Sequence, residues 1–337
     1  MNPPNRGRTL LVGLACLLLM PTASVGDELT IVSWNIENIG AEDGRGFAGG
    51  FGAGDLPPRT DAQLSDIAEF ITDTLAADVI AIQEVSITHF EEGRSRCEPL
   101  DKIIVELEGD WEYFIQDVDF IPDGHANLFV AFLWNSDRVQ ASNIFPLMLP
   151  NPDLAGANLY DRTPLVGYFE ARNDDADGAL TNDFVLVNVH LKSGQDHDEN
   201  HLMAITLIEH SLTRKLKQAG IKESDRIILG DFNDNPYAKR SNGKPKFSDA
   251  MYQHMAFKKY TDLVTESSHA TRMNTQLTSI IDHVLVNSSA KLHIDQDQAD
   301  IFLPGAPATF ATWRLTFSDH FPVSFKLDIR SSDDDVD

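Results

Sequence analysis

The chain has 337 residues, 42% of them hydrophobic, and its 27 Lys and Arg stand against 52 Asp and Glu for a formal charge of −25. That balance excludes the disordered and fibrous classes. It also excludes a histone-like or repressor-like nucleic-acid binder, which needs a dense Lys/Arg face to displace counterions. It leaves room for an enzyme in which bound metal ions, held by carboxylates, present positive charge to a phosphate.

Residues 1–26 read as a secretory signal peptide: Arg6 and Arg8 open it, Leu10 to Met20 is apolar, and Pro21 to Gly26 is small and turn-prone. The apolar run is shorter than the roughly 20 residues of a spanning helix. Gly7 separates the two arginines, so the twin-arginine signal is absent. The expectation is a secreted or periplasmic protein. Cys16 falls inside this leader and leaves only Cys97, which predicts a mature chain with neither an intramolecular disulfide nor a cysteine-ligated zinc.

An apolar strand over Leu29–Ser33 runs into Asn35 and Glu37, which share a side if the strand continues. Gly40 to Pro58, with seven glycines between positions 40 and 54, reads as a surface loop, either plain coil or a substrate lid. Leu64, Ile67, Ala68, Ile71 and Leu75 follow helical spacing, with Thr60 or Asp61 available as a cap. The strand Val79–Ile82 ends in Gln83 and Glu84, and Leu128–Trp134 is the next strand. Arg162 stands ahead of the strand Leu165–Phe169. Phe184–Val189 ends in His190, with Lys192 beyond it, and a helix is predicted from about Glu199 to Lys217. Arg226–Leu229 leads through Gly230 into Asp231 and Asn233. Asp282 lies within a strand over Ile280–Val286, while Asp319 and His320 precede the last strand, Val323–Ile329. Ser331 to Asp337 is an acidic tail predicted to be disordered. Strands and helices interleave without a linker or repeat, which predicts one α/β domain over residues 27–330.

Any one of these polar residues could be a cap or a solvated strand end. Together they are six strand-associated sites supplying Asn35, Glu37, Glu84, His190, Asp231, Asn233, Asp282, Asp319 and His320. Charged groups beside apolar strands need partners, and hard oxygen ligands without cysteine suit Mg²⁺, Mn²⁺ or Ca²⁺.

With these motifs in this order, from Trp34-Asn35 through Gln83-Glu84 and Gly230-Asp-Phe-Asn233 to Ser318-Asp-His320, the chain resembles the endonuclease/exonuclease/phosphatase superfamily. The resemblance implies a four-layer α/β sandwich: two packed mixed β-sheets flanked by helices, with a metal-dependent phosphoesterase site at one edge. It implies that Asn35, Glu37 and Glu84 hold the metal, Glu84 foremost, with Asp319 helping. Asp231 and Asn233 would position or activate the attacking water. His320 would pair with Asp282, and His190 would contact a phosphate oxygen. The resemblance leaves Asp231 and His320 as alternative bases. It also implies that Arg162 contacts the substrate phosphate. Apart from the resemblance, Lys192 would project to the same side as His190 if the strand persists, as a further phosphate contact or a solvated lysine. The sequence departs from many family nucleases in lacking a tyrosine in the loop Asp123 to Asn127, where His125 and Asn127 are the nearest substitutes. His197, His201, His210, His254, His269 and His293 match no family motif and read as surface or structural residues.

The superfamily's shared core does not select a substrate. Export favours extracellular nucleic acid or lipid head groups over intracellular phosphoesters. The expectation is therefore a Mg²⁺-dependent nuclease, with a sphingomyelinase-like phosphodiesterase or a phosphatase as alternative and no obligate protein partner. A lipid substrate would call for an exposed apolar hairpin, for which Ile144–Leu149 and Ile301–Phe310 are the candidates. A catalytically dead binding module is disfavoured because every core position is filled.

Overall fold

The computed structural model describes residues 28–40, 57–118, 128–148, 162–172, 180–193, 198–237, 259–265, 268–273, 279–304 and 310–329. The predicted leader, most of the glycine-rich loop, the segment holding His125 and Asn127, and the acidic tail lie outside these residues. In chain order the strands are β1 (Glu28–Ile39), β2 (Val79–Val85), β3 (His89–Glu91), β4 (Arg94–Arg96), β5 (Trp111–Ile115), β6 (Phe129–Asn135) and β7 (Val139–Pro146). They continue as β8 (Leu165–Arg172), β9 (Leu180–His190), β10 (Arg226–Asp231), β11 (Tyr260–Asp262), β12 (Asp282–Asn287), β13 (Asp300–Ile301) and β14 (Val323–Asp328). The α-helices are α1 (Asp61–Glu69), α2 (Glu98–Glu106), α3 (Asp198–Ala219) and α4 (Phe310–Thr316).

Two six-stranded sheets carry the fold, with orders β13-β14-β1-β2-β6-β5 and β11-β12-β10-β9-β8-β7. The pairs β1/β2 and β9/β10 are parallel, and the other pairs within these sheets are antiparallel. Each parallel pair is joined through a helix, α1 for the first and α3 for the second, as a parallel connection requires. Both sheets are therefore mixed.

Alternation along the strands assigns side chains to layers. Leu29 and Ile31 of β1, Val79 and Ala81 of β2, Phe184 and Leu186 of β9, and Ile227 and Leu229 of β10 fill one cluster between the sheets. The intervening Val32, Trp34, Ile80 and Ile82 pack outward against Leu64, Ile67 and Phe70. Val185, Val187, Val189 and Ile228 pack outward against Ile205, Ile208, Leu212 and Leu216 of α3. The order helix, sheet, sheet, helix is the four-layer α/β sandwich expected. Central strands buried on both faces explain the near-continuous apolar runs of the sequence.

One polar bolt crosses the inter-sheet core. Gln83 Nε2 donates to Asn188 Oδ1 at 2.8 Å, and Asn188 Nδ2 donates to the carbonyls of Ile82 and Ala131 at 2.9 and 2.8 Å. Both side chains are fully buried.

The predicted helix after Thr60 is present with a capping box: Gln63 N–H donates to Thr60 Oγ1, and Thr60 N–H donates to Gln63 Oε1. Its apolar stripe continues through a π-helical turn, Phe70–Leu75, which ends at left-handed Ala76. The short helices α2 and α4 and the edge strands β5, β7, β11 and β13 were not foreseen. Ile144 lies half-buried in edge strand β7, Leu147 is fully buried, and Ile301, Phe302 and Leu303 pack against the core. Among the described residues, neither lipid-contact candidate is an exposed apolar hairpin. No described helix is long and apolar enough to cross a membrane.

Candidate active site

The parallel pairs place their C-terminal ends at the same edge of the sandwich, where α/β sheets bind ligands. In the first sheet Asn35 is paired with Gln83, beside Glu84. In the second, Asp231 is paired with both His190 and Asp282. The segment 318–320, leading into β14, closes the group: Ser318 Oγ donates to the Asn35 carbonyl at 2.6 Å.

The strands end in distorted backbone. Glu37, Asn38, Glu84 and Asn233 all have positive φ, between 49° and 64°. Gln83 and Val85 pair with adjacent residues of β6, so Glu84 bulges out of its strand. Gly230 has φ 141°, and a Cβ there would run into the Val189 carbonyl, so the Gly-Asp-Phe-Asn segment requires glycine at its first position. Strain gathered at one edge is the usual mark of a functional site.

Asn35 joins the two sheets: its Nδ2 donates to Glu84 Oε1 at 3.1 Å and to Asp231 Oδ2 at 3.0 Å. His190 Nε2 lies 3.5 Å from Asp231 Oδ2 and 3.9 Å from Glu84 Oε1. His320 Nδ1 faces both Asp282 oxygens at 2.9 and 3.1 Å, while its Nε2 lies 3.7 Å from Asp231 Oδ2 and from Asp319 Oδ1. Asn233 N–H donates to Asp231 Oδ1 at 2.8 Å. Arg162 donates through Nε to the Leu128 carbonyl, and its charge acts on Glu84 and His190.

These neighbours separate the proton affinities. Burial raises Asp231 above the usual carboxylate range, and burial together with Asp319 raises Glu84. Burial would also raise Asp319, but His320 and Arg272 outweigh it and hold that carboxyl low. Burial opposes the His320 cation, yet Asp282, Asp319 and Asp231 prevail and lift it to about 10. His190 is driven well below the ordinary histidine value by burial and by the charges of Arg162, His320 and Arg272, so it is neutral at pH 7.

Asp231, Asp282 and His320 offer ligand atoms within 4.8 Å of one another and could hold a metal ion. The His320–Asp282 pair already satisfies itself. Glu84, raised by burial and by a second carboxylate, is the group whose charge a cation at Asn35 and Glu84 would relieve. The donor set is hard and oxygen-rich, which suits Mg²⁺ or Mn²⁺.

Asn35, Glu84, His190, Asp231, Asp282, Asp319 and His320 thus come together. Glu37 does not join them. The left-handed turn at Glu37 and Asn38 breaks the alternation that would have put Glu37 beside Asn35. Its carboxylate instead takes Arg314 Nε on both oxygens at 3.0 Å and accepts the Asp319 N–H at 2.9 Å. Asn233 turns its amide to the Leu191 carbonyl at 3.0 Å. Lys192 is half-exposed just past β9, and its carbonyl lies 2.6 Å from His201 Nε2.

Three arginines brace the site from distant parts of the chain. Arg314 holds Glu37. Arg59 donates to four carbonyls, those of Ile36, Glu37, Thr316 and Phe317, clamping the end of β1 to the end of α4. Arg272 bonds Asp319 Oδ2 at 3.0 and 2.9 Å. No local pattern marks any of them, because each acts across a long stretch of chain. A cavity of about 660 Å³ opens beside the Glu37–Arg314 pair, also bounded by Arg59, Thr88, His89 and Lys102. His283 is a buried cation sandwiched between Asp262 and the Asp234 carbonyl, behind the Asp231–Asn233 segment.

Residues 32–320 match the Endonuclease/Exonuclease/phosphatase family. No match is found among curated protein sequences. Among solved structures, a functionally unknown conserved protein from Enterococcus faecalis V583 is similar at TM-score 0.54 and 18% identity, covering 88% of this chain and 98% of its own. The mannosyl-6-phosphatase Bt3783 of Bacteroides thetaiotaomicron VPI-5482 is similar at TM-score 0.51 and 18% identity, covering 88% and 98%. TDP2 of D. rerio, complexed with a single-strand DNA product, is similar at TM-score 0.52 and 12% identity, covering 89% and 98%.

Proposed function

The chain belongs to the endonuclease/exonuclease/phosphatase family of phosphoric ester hydrolases, and from that premise we propose that it is an exported, divalent-metal-dependent phosphodiesterase acting as a nuclease on DNA or RNA. The observation that carries the proposal is the convergence of Asn35, Glu84, His190, Asp231, Asp282, Asp319 and His320 at one edge of the sandwich, with proton affinities driven apart. Export rests on the leader read in residues 1–26.

A cation at Glu84 and Asn35, with Asp319 nearby, would supply Lewis-acid stabilisation of the phosphoryl oxygens. The chain's own groups do the rest. Asp231, with its proton affinity raised by burial and its two oxygens oriented by Asn35 and Asn233, accepts the proton of the attacking water. His320, kept charged by Asp282, stabilises the negative charge that develops on the phosphoryl group. His190, neutral, donates to a phosphoryl oxygen. Arg162 contributes a fixed positive charge to the substrate side of the site. The TDP2 relative with its DNA product is consistent with a nucleic-acid substrate. The mannosyl-6-phosphatase relative makes a phosphomonoester the second reading.

The test is hydrolysis of plasmid DNA, RNA, sphingomyelin and a sugar phosphate in parallel, with Mg²⁺, Mn²⁺, Ca²⁺ or EDTA. Metal-dependent cleavage of nucleic acid is expected, and Asp231→Ala or His320→Ala should lower it by about 10² to 10⁴-fold with the fold intact. Turnover unchanged in EDTA would sink the mechanism, and turnover of the lipid or sugar phosphate alone would reassign the substrate.

A further inference from the structure

Residues 271–273 are built into the two segments that carry Asp282 and His320. Thr271 and Arg272 N–H both donate to the Ser279 carbonyl, Met273 N–H donates to Asp319 O at 2.7 Å, and Phe321 N–H donates to Thr271 O at 2.8 Å. Thr271 Oγ1 accepts the N–H groups of Ile281 and Asp282 at 2.9 and 3.0 Å. The backbone of Arg272 is therefore fixed directly beside the catalytic histidine and its aspartate.

From this mount the guanidinium reaches over Asp319, and Nε and Nη2 both fall on the one oxygen Oδ2. Arg314, by contrast, spans both oxygens of Glu37, and Arg59 spends its donors on four carbonyls. A guanidinium has five N–H donors, so most of those on Arg272 remain uncommitted to Asp319. Its side chain is 42% exposed. Its backbone forms a β-bridge with His320, so the guanidinium sits next to both Asp319 and His320, and its charge acts on Asp231, Glu84 and His190. A planar fork of unspent donors, on a backbone fixed between the Asp282 and His320 segments and beside Asp319, matches the non-bridging oxygens of a phosphate.

We infer that Arg272 is a substrate-binding residue of this site that grips the phosphate of the scissile ester alongside Arg162. The inference rests on the hydrolase reading above. It assigns Arg272 more than the neutralisation of Asp319.

Calorimetry of inorganic phosphate binding to the full chain in Mg²⁺, with turnover recorded separately, tests it on wild type, Arg272→Lys and Arg272→Gln. Arg272→Gln should weaken phosphate by about tenfold or more, the loss expected for a charge-assisted bidentate contact, while Mg²⁺ affinity in the absence of phosphate should not fall, because a positive charge beside Asp319 has been removed. Arg272→Lys, which keeps the charge but loses the fork, should fall between, with KM raised and kcat near wild type. Since it preserves the ion pair with Asp319, it also covers a failure of the glutamine variant to fold. Phosphate affinity unchanged in both variants, or altered only in step with Mg²⁺ affinity, would reduce Arg272 to a holder of Asp319 and overturn the inference. So would a wild type that turns over substrate but binds no phosphate. Absence of metal-dependent turnover in wild type would instead overturn the hydrolase reading.

Discussion

Asp231 and His320 face each other across 3.7 Å with their proton affinities both raised, one as a carboxylate made more basic by burial and the other as a cation fixed by three aspartates. The base form of Asp231 grows as pH rises, and the His320 cation is lost only above about 10. The pH profile of kcat/KM is therefore expected to have an acid limb above the usual carboxylate range and an alkaline limb near 10. Asp282→Asn should pull the alkaline limb downward, and an unmoved limb would exclude His320 as its source. His283 behaves differently, because it serves stability. Both its ring nitrogens face acceptors, Asp262 Oδ2 at 2.8 Å and the Asp234 carbonyl at 3.1 Å; although burial opposes the charge, Asp262 lifts it from 6.5 to about 9. A raised value in the folded state means that this stabilisation is complete below about 6.5 and is lost as pH climbs through about 9. The difference amounts to about 3 kcal/mol. Urea unfolding at pH 6 and pH 10 should show that loss in wild type and a smaller one in Asp262→Asn.

Among the elements, the buried strands were legible and the edges were not. β1, β2, β9 and β10 are apolar on both faces, so their runs stand out, and each ends in the polar residue that reaches the site. Strands β5, β7 and β13 have mixed burial and weak alternation, and α4 is too short for a helical period to show. Glu37 shows where alternation fails: two consecutive left-handed residues reverse the side it faces, and nothing in Asn35-Ile-Glu37 announces the turn. The arginines were equally hidden, since Arg314 meets Glu37 across 277 positions. The Gln83–Asn188 bolt was hidden too, because two amides in apolar runs resemble interruptions rather than a bond between sheets. Asn188→Leu should leave the Gln83 amide nitrogen with the Ala81 carbonyl alone and remove a donor from the Ile82 and Ala131 carbonyls. A loss of about 1 to 3 kcal/mol follows, read as a lower urea midpoint. A midpoint equal to wild type would show that the bolt contributes nothing net.

For the whole molecule, a charge of −25 adds to the repulsion among the carboxylates gathered at this edge, which a bound cation would offset. Mg²⁺ at about 100 times its Kd should stabilise the fold by about 2.7 kcal/mol, seen as a rise in Tm over NaCl of equal ionic strength. Glu84→Gln should abolish the rise, and an equal rise in that variant would mean that the ion acts on the surface charge alone. The Arg59 clamp joins residues 36 and 37 to residues 316 and 317, and β1 takes β14 as its neighbour. The stretch of β1 around Asn35 thus depends on a strand, and Arg59 on two carbonyls, that lie more than 250 residues further along the chain. Contacts so distant form last. A chain without residues 310–329 holds Asn35, Glu84, His190, Asp231 and Asp282 but lacks Asp319 and His320, so the site is complete only when that segment docks against β1.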